Sequence, residues 1–425
     1  MPGVTAPHES GDDEVVGSRW LPPVYSPLVA TALVRATSGA VGWGRDPRPV
    51  FAASLAEEFG ASHVLLTDSG THALQLGIQA ALRAVPAADA PVVALPAYSC
   101  FDVATAAVAT GACIALYDVS PDTLSPNLDS LARVLELGAR VVVVAPLYGM
   151  SVDWDAIEQC AAPFGAMVIE DAAQGHGATW RESRLGALGR LGVLSFGRGK
   201  GWTGGSGGAL LVRAGALPLA TTDFPPDLPA AGSAGTLVSA SAQWLLARPS
   251  LYRVPASVPL LHLGETRYHE PSPAQGMARA AASLLLATRS LAVREAEARR
   301  AHAAEYAERV ASIAAVRMIS PIAGGTSGFL RFPIRVERGM LGISARGAAA
   351  RLGLAPGYPS TLAQLPAVRR RMPSAAAGDR WPGADELVDS LLTLPTHSRV
   401  TERERQAIVR LLSRYDPRAV DNSPE

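Results

Sequence analysis

Lysine is almost missing from this 425-residue chain: Lys200 is the single lysine among 38 basic side chains. Arginine serves wherever a solvated positive charge is enough, but a guanidinium stays protonated and forms no ordinary Schiff base. A lone lysine therefore marks a position that needs an amine, unless a composition this poor in lysine left one there by chance. Cysteine is scarce as well. Cys100, Cys113 and Cys160 are odd in number and lack metal-ligand spacing, which argues against a secreted disulfide framework and for a reducing compartment. Net charge is absent, since 38 acidic side chains balance the 38 basic ones, so no overall field favours nucleic acid or anionic lipid. No uninterrupted apolar run approaches the ~20 residues of a membrane span. The opening Met-Pro-Gly, followed by Asp12, Asp13 and Glu14, lacks the basic-then-apolar pattern of a signal peptide. The expectation is a soluble, cytoplasmic protein with a main domain and a smaller companion.

What is present is an alternation of short apolar runs with helical stretches. His63–Thr67, Pro91–Leu95, Cys113–Tyr117, Arg140–Ala145, Ala166–Glu170 and Gly192–Phe196 read as buried strands, and Gly207–Val212 as a further one running antiparallel. Helical spacing falls between them, at Phe51–Phe59, His72–Val85, Leu128–Leu137 and Val152–Phe164. This order predicts an α/β fold: a mostly parallel central sheet covered on both faces, with its ligand crevice at the carboxyl ends of the strands. The expected organisation is a polar tail over 1–18, then a large domain over 19–270. That domain carries an N-terminal arm and a Pro- and Leu-rich insert at 214–270, read as core lining with a lid or specificity role. A long linking helix over Met277–Ile313 and a small α+β domain follow within 271–415, and 416–425 is a second tail. Thr401 and Glu404 have the spacing of a capping box.

The residues with chemistry sit just after strands. Asp68-Ser-Gly-Thr71 precedes a helix, where free N–H groups and the positive dipole end favour an anion, although an ordinary capping turn uses the same residue types. Asp171 and Gln174 follow one strand; Ser195 lies in another, Gly192–Phe196, with Lys200 just beyond it. An amine at one strand end, a carboxylate at the next and a phosphate-competent helix start match the needs of pyridoxal 5'-phosphate. Its aldehyde condenses with an amine, its ring nitrogen is held protonated by a carboxylate, and its phosphate needs an anchor.

Taken together, Ser69-Gly-Thr-His-Ala-Leu74, Pro96 through Asp118, Leu147-Tyr-Gly149, Glu170-Asp-Ala-Ala-Gln-Gly-His-Gly-Ala178, Ser195-Phe-Gly-Arg-Gly-Lys200 with Gly207-Gly208, and Leu394-Pro-Thr-His397 resemble the DegT/DnrJ/EryC1/StrS family. These are pyridoxal phosphate enzymes, mostly nucleotide-sugar aminotransferases, of fold type I (aspartate-aminotransferase-like). The resemblance runs from about Trp20 to Leu412. It implies that Lys200 binds the cofactor aldehyde and moves protons, with Asp171 on the pyridine nitrogen and Gln174 near the ring hydroxyl. Ser69, Gly70, Thr71 and Ser195 would be at the phosphate, and Cys100 and Phe101 beside the ring. It also implies a homodimer with a shared active site, small-molecule substrates and neither nucleic acid nor metal. Three positions depart from the family. Cys100 stands where an aromatic usually stacks on the ring, with Tyr98 or Phe101 as substitutes. Ser206 replaces a glutamate, and Ser272 stands near the place of an asparagine that reaches the neighbouring subunit. The retained lysine argues against the family's dehydratase branch, which carries histidine there. The implied activity is transfer of an amino group, with glutamate as expected donor, to a keto group of a nucleotide-linked sugar or related metabolite. The alternatives are another pyridoxal phosphate reaction on a non-sugar substrate, or a non-catalytic regulatory relative.

Overall fold

A computed structural model describes residues 19–40, 44–85, 90–215, 228–253, 266–343, 345–376 and 378–415. The two terminal tails and parts of the 214–270 insert expected from sequence lie outside the described residues. Helices α1 (Ala30–Ala40) and α2 (Pro47–Phe59) come first. Nine strands then lie in the first half of the chain: β1 (His63–Thr67), β2 (Val92–Pro96), β3 (Cys113–Tyr117), β4 (Ala139–Val144), β5 (Met167–Asp171), β6 (Thr179–Trp180), β7 (Ser183–Arg184), β8 (Leu191–Ser195) and β9 (Gly208–Val212). Seven of them form one sheet in the order β1-β9-β8-β5-β4-β2-β3. Pairing is parallel from β8 through β5, β4 and β2 to β3, while β9 runs antiparallel to both β8 and β1, as the sequence reading expected.

The near-continuous apolar runs have a simple cause. Val141 and Val143 of β4 point into a core beneath helices α3 (Gly70–Ala84) and α4 (Phe101–Val108), while Val142 and Val144 enter a second core on the opposite face. A strand buried on both faces cannot alternate apolar with polar residues. Every parallel strand consequently ends at the same edge, which gathers the loops after Thr67, Val144, Asp171 and Ser195.

The remaining strands, β10 (Arg317–Met318), β11 (Gly325–Thr326), β12 (Phe332–Arg335), β13 (Ala355–Pro356) and β14 (Leu391–Leu394), follow the long helix Arg279–Val310. Four of them make the small antiparallel sheet β10-β12-β14-β13; β11 instead joins the hairpin of β6 and β7. The capping box at Thr401 and Glu404 is present at the start of the closing helix. Asp118 couples the domains: Oδ1 accepts from the N–H groups of Val119 at 2.9 Å and Ala384 at 2.8 Å, and Oδ2 from that of Gly383 at 2.9 Å. A carboxylate from the large domain thus caps the small-domain helix Pro382–Ser390.

Two helices were not evident from sequence. Helix α1 interrupts the expected arm, and Ser233–Leu246 emerges from the insert. They pack on each other and on the long helix through Leu28, Ala32, Ala36, Ala240, Ala280 and Leu284, a small-residue seam whose mixed composition gives little periodic signal.

Candidate active site

The cleft opens at the carboxyl edge of the sheet and measures about 440 Å³ including its mouth. Gly70, Thr71, Cys100, Asp171, Gln174, Ser195 and Lys200 all line it. Residues far apart in sequence meet there because several strands end side by side. Two residues expected at the cofactor are not among the lining residues. The Ser69 hydroxyl accepts from the His72 N–H at 3.2 Å as the N-cap of α3, and Phe101 is 5 % exposed within the core, because the first turn of α4 directs it inward. Ser69 therefore supports the helix start, and Phe101 packs beneath the cleft.

The helix start and Ser195 are unusually close. A Cβ on Gly70 would lie 2.6 Å from Ser195 Cβ, so only glycine lets α3 begin against that serine. Together, the N–H groups of the first turn, the Thr71 hydroxyl and the Ser195 hydroxyl form an anion cradle. On the other side of the cleft, the Asp171 carboxyl ends β5. Burial raises its pKa from 3.8 to about 6, against the opposing charge of Lys200 and the Ala173 N–H that donates to Oδ1 at 3.1 Å. A buried carboxylate of this kind favours a cationic partner. The Cys100 thiol is pushed up to about 12, by burial foremost, and stays neutral.

The loop that carries Lys200 is tied from behind. The Ser26 hydroxyl in the arm donates to the Lys200 carbonyl. The Arg299 guanidinium, fully buried in the long helix, donates through Nη2 to the carbonyls of Tyr25 at 3.0 Å and Gly201 at 3.3 Å. Gln174 is fixed in orientation: its Oε1 accepts from the Tyr148 N–H at 2.8 Å and its Nε2 donates to the Tyr358 hydroxyl at 2.8 Å. Tyr148 adopts a left-handed backbone, with φ of 55°, that aims its N–H at that amide. Its ring stacks on Tyr358 at 6.3 Å between centroids.

No aromatic residue is among those lining the cleft. Tyr98, a candidate substitute for the missing stacking ring, is fully buried and turned away, its hydroxyl accepting from the Tyr358 N–H at 2.7 Å. Ser206 bonds to the Thr236 hydroxyl at 2.9 Å, and Ser272 to the His72 ring at 3.1 Å; neither lines the cleft. Sequence reasoning missed Asp102, Ala145, Pro146 and Ala173 in the lining, and Tyr358 behind Gln174. The run after Arg140 and the residues beside Asp171 already marked strand ends; Tyr358 comes from a small-domain loop with no local signal.

The donor set fits pyridoxal phosphate: an amine, a buried carboxylate, an oriented amide and an anion cradle that a Cβ would fill. The fold is that of the fold type I pyridoxal-phosphate-dependent transferases. Residues 38–223 match the model of the DegT/DnrJ/EryC1/StrS aminotransferase family. Among curated proteins, 3-amino-5-hydroxybenzoate synthase of Amycolatopsis mediterranei is 34% identical over 193 residues, 44% of this chain and 48% of that one. The L-glutamine:2-deoxy-scyllo-inosose aminotransferase of Streptomyces fradiae is 32% identical over 163 residues, 38% of each chain. The chain thus spans about half or less of the length of these relatives. Whole-fold likeness is broader. A solved 3-amino-5-hydroxybenzoic acid synthase superposes with a TM-score of 0.69 at 21% identity, covering 94% of this chain and 99% of that one. A family aminotransferase from Brucella abortus gives 0.66 at 22%, covering 90% and 94%. No helix among the described residues is long and apolar enough to cross a membrane, and no cluster of metal-ligating side chains occurs among them.

Proposed function

We propose that this protein is a pyridoxal-phosphate-dependent aminotransferase that moves an amino group from an amino acid to a keto group on a sugar-like or cyclitol acceptor. The observation that carries the reading is the convergence of Lys200, Asp171 and the Gly70–Ser195 cradle in one cleft. When bound, the cofactor supplies a carbonyl carbon that takes up the amino group and a ring that absorbs the electron pair released at the donor's Cα. Asp171 holds a proton on the ring nitrogen, which its buried position favours once a cation faces it. Ser195, Thr71 and the helix start take the phosphate and fix the ring's register. Gln174, held by Tyr148 and Tyr358, would orient the ring. Lys200 would hold the cofactor through its amine and, once that amine is freed, would act as the base that carries the proton from the donor's Cα. With the keto acceptor, the same lysine would return a proton to the acceptor carbon.

The relatives support an acceptor of cyclitol or sugar type, and the names of several give L-glutamine as donor; glutamate as donor and a nucleotide-linked sugar as acceptor are the finer reading. The family resemblance supports a homodimer. A visible absorbance band on adding cofactor, lost in Lys200→Ala, together with stoichiometric ketoacid from the donor, tests the proposal. Absence of any band from the wild type sinks it. The lack of an aromatic in the cleft favours one second reading, a relative that holds the cofactor without turnover and acts in regulation. A stable band with neither half-reaction for any donor selects that reading.

A further inference from the structure

A second cavity lies behind the Lys200 loop, between the sheet and the long helix. It is larger than the cleft, at about 1400 Å³ including its mouth. Ala173 and Ser195 line both. Gly201 and Trp202, the two residues after Lys200, form part of its wall. Much of the lining is apolar: Trp202 meets Phe196 edge to face at 5.4 Å between centroids, and Leu185 and Leu194 belong to the same cluster. The His176 ring, also in the wall, lies 6.1 Å from that of Trp202.

The polar part of the wall carries a surplus of positive charge. Glu58 pairs with Arg289 at 2.7 Å and lies 3.6 Å from Arg184. Glu182, the other carboxylate of the lining, is exposed in a turn and joins no ion pair among the described residues. Arg300 has no carboxylate partner among them either; its Nη1 donates to the Gly177 carbonyl at 3.0 Å, which leaves spare N–H groups on the guanidinium. Arg299, its neighbour on the helix, is fully buried, and its Nε and Nη1 have no hydrogen-bond partner, nor has the shielded Nδ1 of His176. Glu295, whose charge reaches Arg299, accepts instead from the Ser398 N–H at 2.8 Å and hydroxyl at 2.6 Å. These groups meet at Gly201, where an added Cβ would lie 2.7 Å from His176 Cβ and 2.8 Å from Arg299 Nη1. Burial foremost, then the charges of Arg299, Arg184 and Arg300, lower the His176 pKa to about 3, and no carboxylate is among the charges that reach it. Guanidiniums without counter-charge beside an apolar wall favour an anion, because it restores pairing that the fold itself withholds.

We infer that this cavity is a second ligand site, separate from the cleft, for a small ring compound that carries one carboxylate or phosphate group. Arg300 takes the anionic group beside His176, and the ring lies toward Trp202 and Phe196. Such a ligand rests against Gly201 and Trp202, and so against the back of the loop that carries Lys200. A neutral ring of the same size leaves the guanidinium unpaired and is disfavoured.

The test is isothermal titration calorimetry of the full-length, cofactor-loaded protein with benzoate and with phenyl phosphate, benzamide serving as the neutral ring. Two variants accompany the wild type: Arg300→Met removes the charge, and Val293→Trp fills the cavity from an exposed position on the long helix. Neither residue lines the cleft. The expected result is that wild type binds at least one of the ring anions about tenfold or more tightly than benzamide, and that this affinity falls about tenfold in each variant. The cofactor's visible band stays as in wild type. Preference for benzoate identifies a carboxylate as the favoured head group, and preference for phenyl phosphate a phosphate. Three results overturn the inference: no ring anion bound, no advantage over benzamide, or an affinity unchanged in either variant, which places the anion elsewhere, as in the cleft. If Arg300→Met does not fold, Val293→Trp decides by the same titrations. If the protein takes up no cofactor, or converts no donor, the aminotransferase reading has failed separately, and the same titrations on the protein as it stands still decide.

Discussion

Replacing Asp171 by asparagine separates the cost of this residue from its use. In the cofactor-free protein its carboxyl is 8 % exposed, and burial raises its pKa from 3.8 to about 6. A shift of that size corresponds to about 3 kcal/mol at pH values above both limits. The sign follows from proton counting. Between about pH 4 and pH 6 the unfolded chain has lost the Asp171 proton and the folded chain still holds it, so the folded state is progressively disfavoured as the pH rises. The contribution is fully present below the unfolded pKa and is lost as the pH passes through about 6. The amide that replaces the carboxyl has no such proton. Asp171→Asn in the cofactor-free protein should therefore gain stability relative to wild type by about 3 kcal/mol between pH 4 and pH 7, whatever constant offset arises from the altered bond to the Ala173 N–H. Urea unfolding of both proteins across that range measures the gap. Glu170, also raised, to about 7 by burial, contributes equally to both and cancels in the difference. The same substitution should weaken cofactor binding at pH 7, because the neutral amide cannot hold a protonated ring nitrogen. A gap that does not change with pH, or that moves in favour of wild type as the pH rises, refutes the electrostatic account.

Two further outcomes follow from the packing. Asp118→Ala removes a carboxylate that accepts from three backbone N–H groups, two of them at the first turn of the helix Pro382–Ser390. It should cost about 3–5 kcal/mol in urea unfolding, and a loss below about 1 kcal/mol contradicts the inter-domain cap. Gly70→Ala places a methyl 2.6 Å from Ser195 Cβ, which forces the helix start and the serine apart. Cofactor affinity, titrated by visible absorbance, should fall about tenfold or more with the fold retained, and unchanged affinity removes the phosphate cradle from this position.

The strand-end residues were legible because chemistry and periodicity coincide there. β5 ends on Asp171 and β8 on Ser195, and a doubly covered parallel sheet brings such ends to one edge whatever the loops do. The aromatic question was not legible. Tyr98 and Phe101 had the right residue type two positions and one position from Cys100, but each side chain is buried away from the cleft, and no spacing rule reports that. Helix Ser233–Leu246 was obscure for a similar reason, since it buries small residues against two other helices and shows no strong stripe.

By itself, the sequence determined the alternation of buried strands and helices, the single lysine, and the order in which carboxylate, amide, serine and lysine follow one another. Those are local properties, set by apolar periodicity and by which side chains can form a Schiff base. Tertiary structure decided what stands around them. It directed Phe101 inward, used Ser69 as a helix cap, tied the Lys200 loop through Ser26 and Arg299, and brought Tyr358 of the small domain to the back of Gln174. These contacts join residues far apart in the chain, and only the packing of the two domains fixes their distances.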